Sequence, residues 1–99
     1  MKRKRNKKIM DSARREECQV RIAGVCSFDP EKTILAHLGG GGMGYKSHDI
    51  HSAYCCSDCH DIVDGRVSTI IDKVYIEIAF YEGMVRTQEI LLRRGLIKV

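Results

Sequence analysis

Apolar positions recur along this chain in three patterns, which divide it into a short helical start, a β-prone middle and a long helical end. From Lys7 to Glu17 the apolar residues Ile9, Met10 and Ala13 stand among charges, a spacing that predicts a short helix ending before Cys18. Residues 18–26, CQVRIAGVC, alternate polar and apolar before a glycine and predict a strand and turn that bring Cys26 back towards Cys18. Phe28 to Lys32 holds the only proline, Pro30, and predicts a loop. The β-prone run from Thr33 to Leu38 ends in four consecutive glycines, Gly39 to Gly42. Ser47 to Ser52 predicts a polar turn, Ala53 to Cys55 a second short strand, and Ser57 to Asp64 a helix stopped by Gly65. From Thr69 to Arg94 apolar residues such as Val74, Ile78, Tyr81, Val85 and Leu92 recur at helical intervals. They predict one long or twice-broken amphipathic helix, with Gly83 as the possible break and Gly95 as the left-handed residue after its last turn. The chain is therefore an α+β protein with no internal repeat.

Composition narrows this picture. A chain of 99 residues forms one domain, and a domain this small buries too little surface to be indifferent to a staple. Five cysteines are available for one. The opening MKRKRNKK has no apolar run behind it, so no secretory signal is read there, and no stretch approaches the ~20 apolar residues of a membrane span. A cytoplasmic protein without a membrane partner is expected, and in a reducing cytosol a CxxC is a metal or redox pair before it is a disulfide.

Charge is unevenly spread. Residues 1–15 carry +7 and the remainder −3, within a total of +4. Lys2, Arg3, Lys4, Arg5, Lys7 and Lys8 make residues 1–8 a basic, flexible arm suited to nucleic acid, ahead of a single domain over residues 9–99. A merely solubilising terminus is the bland alternative.

The candidate chemistry gathers around Cys56-Ser57-Asp58-Cys59-His60. Zinc takes four N or S ligands in a tetrahedron, and Cys18, Cys26, Cys56 and Cys59 supply four from a turn and a corner. Cys55 alternates to the other side of its strand, so one of the two neighbours should ligate easily, and spacing favours Cys56. A redox CxxC lacks the surrounding βαβ pattern it would need. Beyond the sulfurs, His37, Asp49, His51, His60 and Asp64 are too many polar groups for a routine core, and His60 and Asp64 are one helical turn apart. The glycines lack the Lys-Ser/Thr of a phosphate-cradling P-loop. They read as a flexible connection or as a close backbone approach to phosphate.

The order of these residues resembles the HNH nucleases, and most closely the small HNH proteins encoded by phages and prophages. The resemblance rests on Cys18–Ile22 with Gly24–Cys26, on Leu35–His37, on Cys59–Asp61 with Asp64–Gly65, and on Glu82–Gln88. It implies a ββα-metal fold with a zinc staple and makes residues 9–99 an HNH-type nuclease domain. By the same resemblance His37 is the general base, a task that suits an imidazole near neutral pH. His60 and Asp64 hold a catalytic divalent ion, which could be magnesium, manganese, nickel or zinc.

Two positions depart from the family pattern. The asparagine that usually orients the base is replaced, leaving Asp49 or His51 to hold the Nδ1–H of His37. Ala36 stands where many HNH enzymes carry another metal ligand. The expected function is metal-dependent hydrolysis of DNA phosphodiester bonds. The alternatives are a zinc-stabilised nucleic-acid-binding module without catalysis, and an adaptor working through its long helix.

Overall fold

The computed structural model describes residues 6–39 and 48–99. Helix α1 spans Lys7–Ser12, strand β1 Thr33–His37, strand β2 Ser52–Cys56, helix α2 Ser57–Val63 and helix α3 Lys73–Arg93. A single 3-10 turn, Pro30–Lys32, leads into β1. No helix among the described residues is long and apolar enough to cross a membrane.

β1 and β2 pair antiparallel, with Thr33 opposite Cys56 and His37 opposite Ser52. A lone hairpin is marginal in water, and this one is covered along β2, while Ile34 of β1 stays exposed. All five residues of β2 are buried. Its outer edge is closed at Tyr54, whose N–H donates to Thr87 Oγ1 at 2.9 Å and whose carbonyl accepts from the Gln19 N–H at 2.8 Å. Helix and loop thus use the hydrogen-bonding groups that an exposed edge would offer to another chain.

The core has two lobes. Tyr54, Leu35, Ile9, Ala13 and Leu91 form one, joining α1 to the last turns of α3. Ser12 Oγ and Tyr54 Oη lie 2.7 Å apart in it, so the buried phenol has a partner. Cys18, Val20, Ile22, Ala53, Ile62 and Phe80 belong to the other, around the cysteine corner.

α1 starts at Lys7 as the spacing predicts but stops at Ser12 rather than Glu17. Arg15, at φ 63°, turns the chain away. The strand predicted for residues 18–25 does not form. Arg21 and Gly24 take positive φ, 56° and 78°, and both Val25 and Cys26 donate to the Ile22 carbonyl. The alternating pattern instead marks a tight knuckle, in which Arg21 N–H points at Cys18 Sγ at 3.5 Å. Val20 and Ile22 are buried because the knuckle packs on α3, with no ladder needed to explain their spacing.

The long helix begins later than predicted, at Lys73, where the Asp72 side chain caps it by accepting from the Val74 N–H at 2.8 Å. Gly95 at φ 72° follows its end, as expected. Gly83, read from sequence as a possible break, leaves the helix intact and does something else. A Cβ there would lie 2.8 Å from Val20 Cγ2 and 2.9 Å from Val20 Cα. The missing side chain lets the knuckle backbone lie directly on α3, beside Arg86, whose Nη1 donates to the Gln19 carbonyl at 2.7 Å.

Gly83→Ala is therefore expected to destabilise the protein. Alanine's helix preference gains about 1 kcal/mol. The clash is with main-chain atoms that cannot swing aside, and such overpacking costs about 1–3 kcal/mol. A urea midpoint equal to or above that of the parent protein would contradict this account of Gly83.

Candidate functional site

The four sulfurs of Cys18, Cys26, Cys56 and Cys59 lie within 4.8 Å of one another. Two come from the knuckle, one ends β2 and one sits in the first turn of α2. A tetrahedron of ~2.3 Å zinc–sulfur bonds has sulfur–sulfur edges of about 3.8 Å, and Cys26 and Cys56 Sγ stand 3.9 Å apart. The donor set and spacing fit a structural zinc ion. Cys56 also caps α2, its sulfur accepting from the Cys59 N–H at 3.4 Å. One side chain therefore sets both the start of the helix and a corner of the tetrahedron. Cys55 is not one of the four, but it does not turn away from them as strand alternation predicts, since its thiol reaches the Cys18 and Cys59 sulfurs.

The electrostatics of the corner point the same way. Hydrogen bonds from the Cys55 and Cys59 thiols hold Cys18 well below the ordinary thiol range. Burial first of all pushes Cys26 up to about 11, and the hydrogen bond to Cys18 raises Cys59. One thiolate is tolerated and its neighbours resist ionising beside it. Only a cation lets all four sulfurs carry charge in so small a buried volume.

At the opposite end of the hairpin lies a second group of residues. His37, the last residue of β1, has its Nε2 2.7 Å from Asp49 Oδ1. The Asp49 side chain is 5% exposed. Its other oxygen accepts from the Asn6 backbone N–H at 2.6 Å, and its carbonyl accepts from the Ser52 hydroxyl. Of the two sequence candidates, Asp49 is the one on His37. The His51 ring stands edge-on to His48, with centroids 5.8 Å apart, while the His51 carbonyl takes the Leu38 N–H at 2.8 Å. The contact also uses Nε2 rather than the expected Nδ1, so Nδ1 is the nitrogen turned away from Asp49.

His60 and Asp64 do share a face of α2, with His60 Nε2 3.1 Å from Asp64 Oδ2. Arg66 joins them, 3.4 Å from the same Asp64 oxygen and 3.8 Å from Asp61. Leu38 and Gly39, which follow His37, meet Val63 and Asp64, which end α2, across an open cleft of about 370 Å³. Ile76, Glu77, Phe80 and Tyr81 of α3 form its other wall. The hairpin end and the helix end, separated by more than twenty residues in sequence, thus face one space.

Three features escaped the sequence. Asn6 is at once the cap of α1, accepting from the Lys8 and Ile9 N–H groups, and the donor to Asp49. An asparagine before a helical pattern signals the cap, but nothing in the pattern signals the second bond. Glu77 on the cleft wall and the Arg66–Asp64 pair depend on how α2 and α3 cross. Of the basic arm, Lys7 and Lys8 are exposed in the first turn of α1. Lys2, Arg3, Lys4 and Arg5 lie outside the described residues, as do Gly40, Gly41, Gly42 and Gly44.

Comparison with known proteins supplies what geometry cannot. A family model described as "Putative nuclease YbcO" matches residues 7–96. A relative with that same description from Escherichia coli strain K12 is 46% identical over 93 residues, which is 91% of this chain and 96% of the relative. A protein of Enterobacteria phage 82 matches equally, at 46% identity over 93 residues. A solved structure, "Structure of a putative bacteriophage protein from Escherichia coli str. K-12 substr. MG1655", is 42% identical with a TM-score of 0.73. It covers 87% of this chain and 98% of its own. The matched span takes in the cysteine corner, both His–Asp pairs and all of α3, and the chain belongs to the phage-related family described as "Putative nuclease YbcO".

Proposed function

We propose that the protein is an HNH-type endonuclease that hydrolyses DNA phosphodiester bonds with a divalent ion. The observation that carries this reading is the cleft where Leu38 and Gly39 meet the end of α2: Asp64, bonded to His60, lines it, and the His37–Asp49 pair lies just ahead of Leu38 at the end of β1.

His37 serves as general base through Nδ1. Its Nε2–H donates to Asp49, which fixes the ring and the tautomer and stabilises the imidazolium formed when a water proton is taken. Asp49 can do this because Asn6 N–H holds its second oxygen, so the carboxylate cannot rotate away from the ring. His60 Nε2 and Asp64 Oδ2 would hold the divalent ion, which when bound stabilises negative charge on the phosphate and the leaving oxygen. Arg66, 64% exposed, would have to leave its ion pairs with Asp64 and Asp61 to bring its guanidinium onto the phosphate. Lys2, Arg3, Lys4 and Arg5 precede Asn6 in the chain, and Asn6 donates to Asp49, the residue on His37. The zinc at Cys18, Cys26, Cys56 and Cys59 is structural.

One observation favours a non-catalytic, nucleic-acid-binding reading. Ala36, buried in β1, offers no ligand where the family pattern often has one, so His60 and Asp64 are the donors named for this site.

Three measurements test these roles. His37→Ala should lower plasmid nicking about 10²–10⁴-fold, and Asp49→Asn should lower kcat with little change in KM. Nicking that survives His37→Ala sinks the assignment of the base. Salt-sensitive duplex binding without cleavage under Mg²⁺, Mn²⁺, Ni²⁺ or Zn²⁺ supports the binding module instead.

Deleting residues 1–5 removes four basic side chains. It should flatten the logarithmic salt dependence of DNA affinity by about 3–4; an unchanged slope would make the arm a bystander.

Zinc content should fall from one equivalent towards none in Cys26→Ser and Cys59→Ser, and stay near one in Cys55→Ser. Because binding requires thiolates, and Cys26 in particular must lose a proton it holds up to about pH 11 without metal, zinc should be lost to a chelator faster at acid than at alkaline pH. Retention of zinc in both ligand variants would refute the four-cysteine site.

A further inference from the structure

The outward face of α3 is apolar, which is not what a solvated helix presents. The helix buries Ala79, Phe80, Gly83, Thr87 and Leu91 against the core. On the opposite side Val74, Ile78, Tyr81 and Val85 succeed one another at steps of four, three and four residues, each 49–60% exposed. Tyr75 adjoins them at 42% exposure, and Val67 and Ile70 extend the patch ahead of the helix. Scattered exposed apolar residues are ordinary, but a continuous stripe of them marks a surface that is covered.

Charge and spacing decide what covers it. Glu77, Glu82 and Glu89 border the stripe and repel a phosphate backbone, so it suits protein rather than nucleic acid. The spacing reads the same in both directions. A second copy of α3, laid antiparallel about a twofold axis passing between Ala79 and Phe80, sets Val74 on Val85 of the partner subunit and Ile78 on Tyr81 of the partner subunit. In that register Glu82 comes beside Tyr75 of the partner subunit and Glu77 beside Met84 of the partner subunit, so no two carboxylates oppose each other. The seven exposed side chains together offer roughly 700 Å² per copy, close to the ~800 Å² per partner of a stable interface.

We propose that the protein is a twofold-symmetric homodimer joined through antiparallel packing of the outward faces of α3. Glu77 and Tyr81 also line the cleft, so the seam runs beside the cleft of each subunit.

Sedimentation equilibrium on the zinc-loaded full chain tests this. The expected mass is twice 11.2 kDa. Val74→Lys and Val85→Glu should each weaken association roughly tenfold or more. The double variant should recover much of it, because the two new opposite charges meet only in the antiparallel register. Both positions are exposed in the single subunit, and an unchanged circular-dichroism melt at monomeric concentrations would separate loss of pairing from loss of folding. A monomer at every concentration, or a dimer indifferent to either single substitution, overturns the proposal. A dimer broken by both single substitutions and not rescued by the double overturns the antiparallel arrangement.

Discussion

Four sulfur atoms converging at one buried corner are the constraint on which the rest of this small structure depends. The hairpin has five residues per strand, and α2 has seven, too few to be a stable helix by itself. Neither element would persist alone. The corner joins them to the knuckle of residues 18–26, and the knuckle is pressed onto α3 where Gly83 lets its backbone approach. Four segments with little intrinsic stability thereby become one body. The perturbed thiols give the reason a cation is needed: one ionised sulfur makes its neighbours harder to ionise, and a dipositive ion reverses that sign.

Tyr54 plays the complementary part on the other side of the sheet. Its main chain is held by Gln19 and Thr87, and its hydroxyl meets Ser12 on α1. Through α1 the effect reaches His37, because Asn6 caps that helix and donates to Asp49. A hydrogen-bonded path therefore runs from the middle of β2 to the carboxylate on His37, and each group along it is satisfied without water.

The sequence made the ligands more legible than the backbone that presents them. CxxCH followed by Asp64 announces a corner and a helix face because metal ligation and helical spacing are both local rules, and both appear as read. The same holds for Gly95, where a positive φ is needed one residue past a helix. Residues 18–25 misled because polar–apolar alternation also arises when a knuckle buries Val20 and Ile22 against a helix far away in sequence. Gly83 misled for a related reason. A helical glycine is a break by propensity, and here the demand for it comes from Val20, 63 positions earlier in the chain. Asp49 and His51 could not be separated by sequence because the choice depends on how residues 48–51 turn, and the turn is closed by the bond from His51 N–H to the His48 carbonyl.

The link between the two ends of the molecule is the short helix itself. Cys59 and His60 are adjacent, so whatever fixes the sulfur fixes the rotation of α2 about its axis at the next residue. Asp64, one turn on, takes its direction from the same rotation. A helix of seven residues cannot supply that rigidity from its own hydrogen bonds. It gets it from the Cys56 cap, from buried Ile62 and from the sulfur corner. This matters more here than in a site rich in ligands. With alanine at position 36, two side chains alone would hold a divalent ion, and with so few donors, small errors of angle are not averaged away. The sulfur corner thus helps to fix the direction in which His60 and Asp64 leave α2.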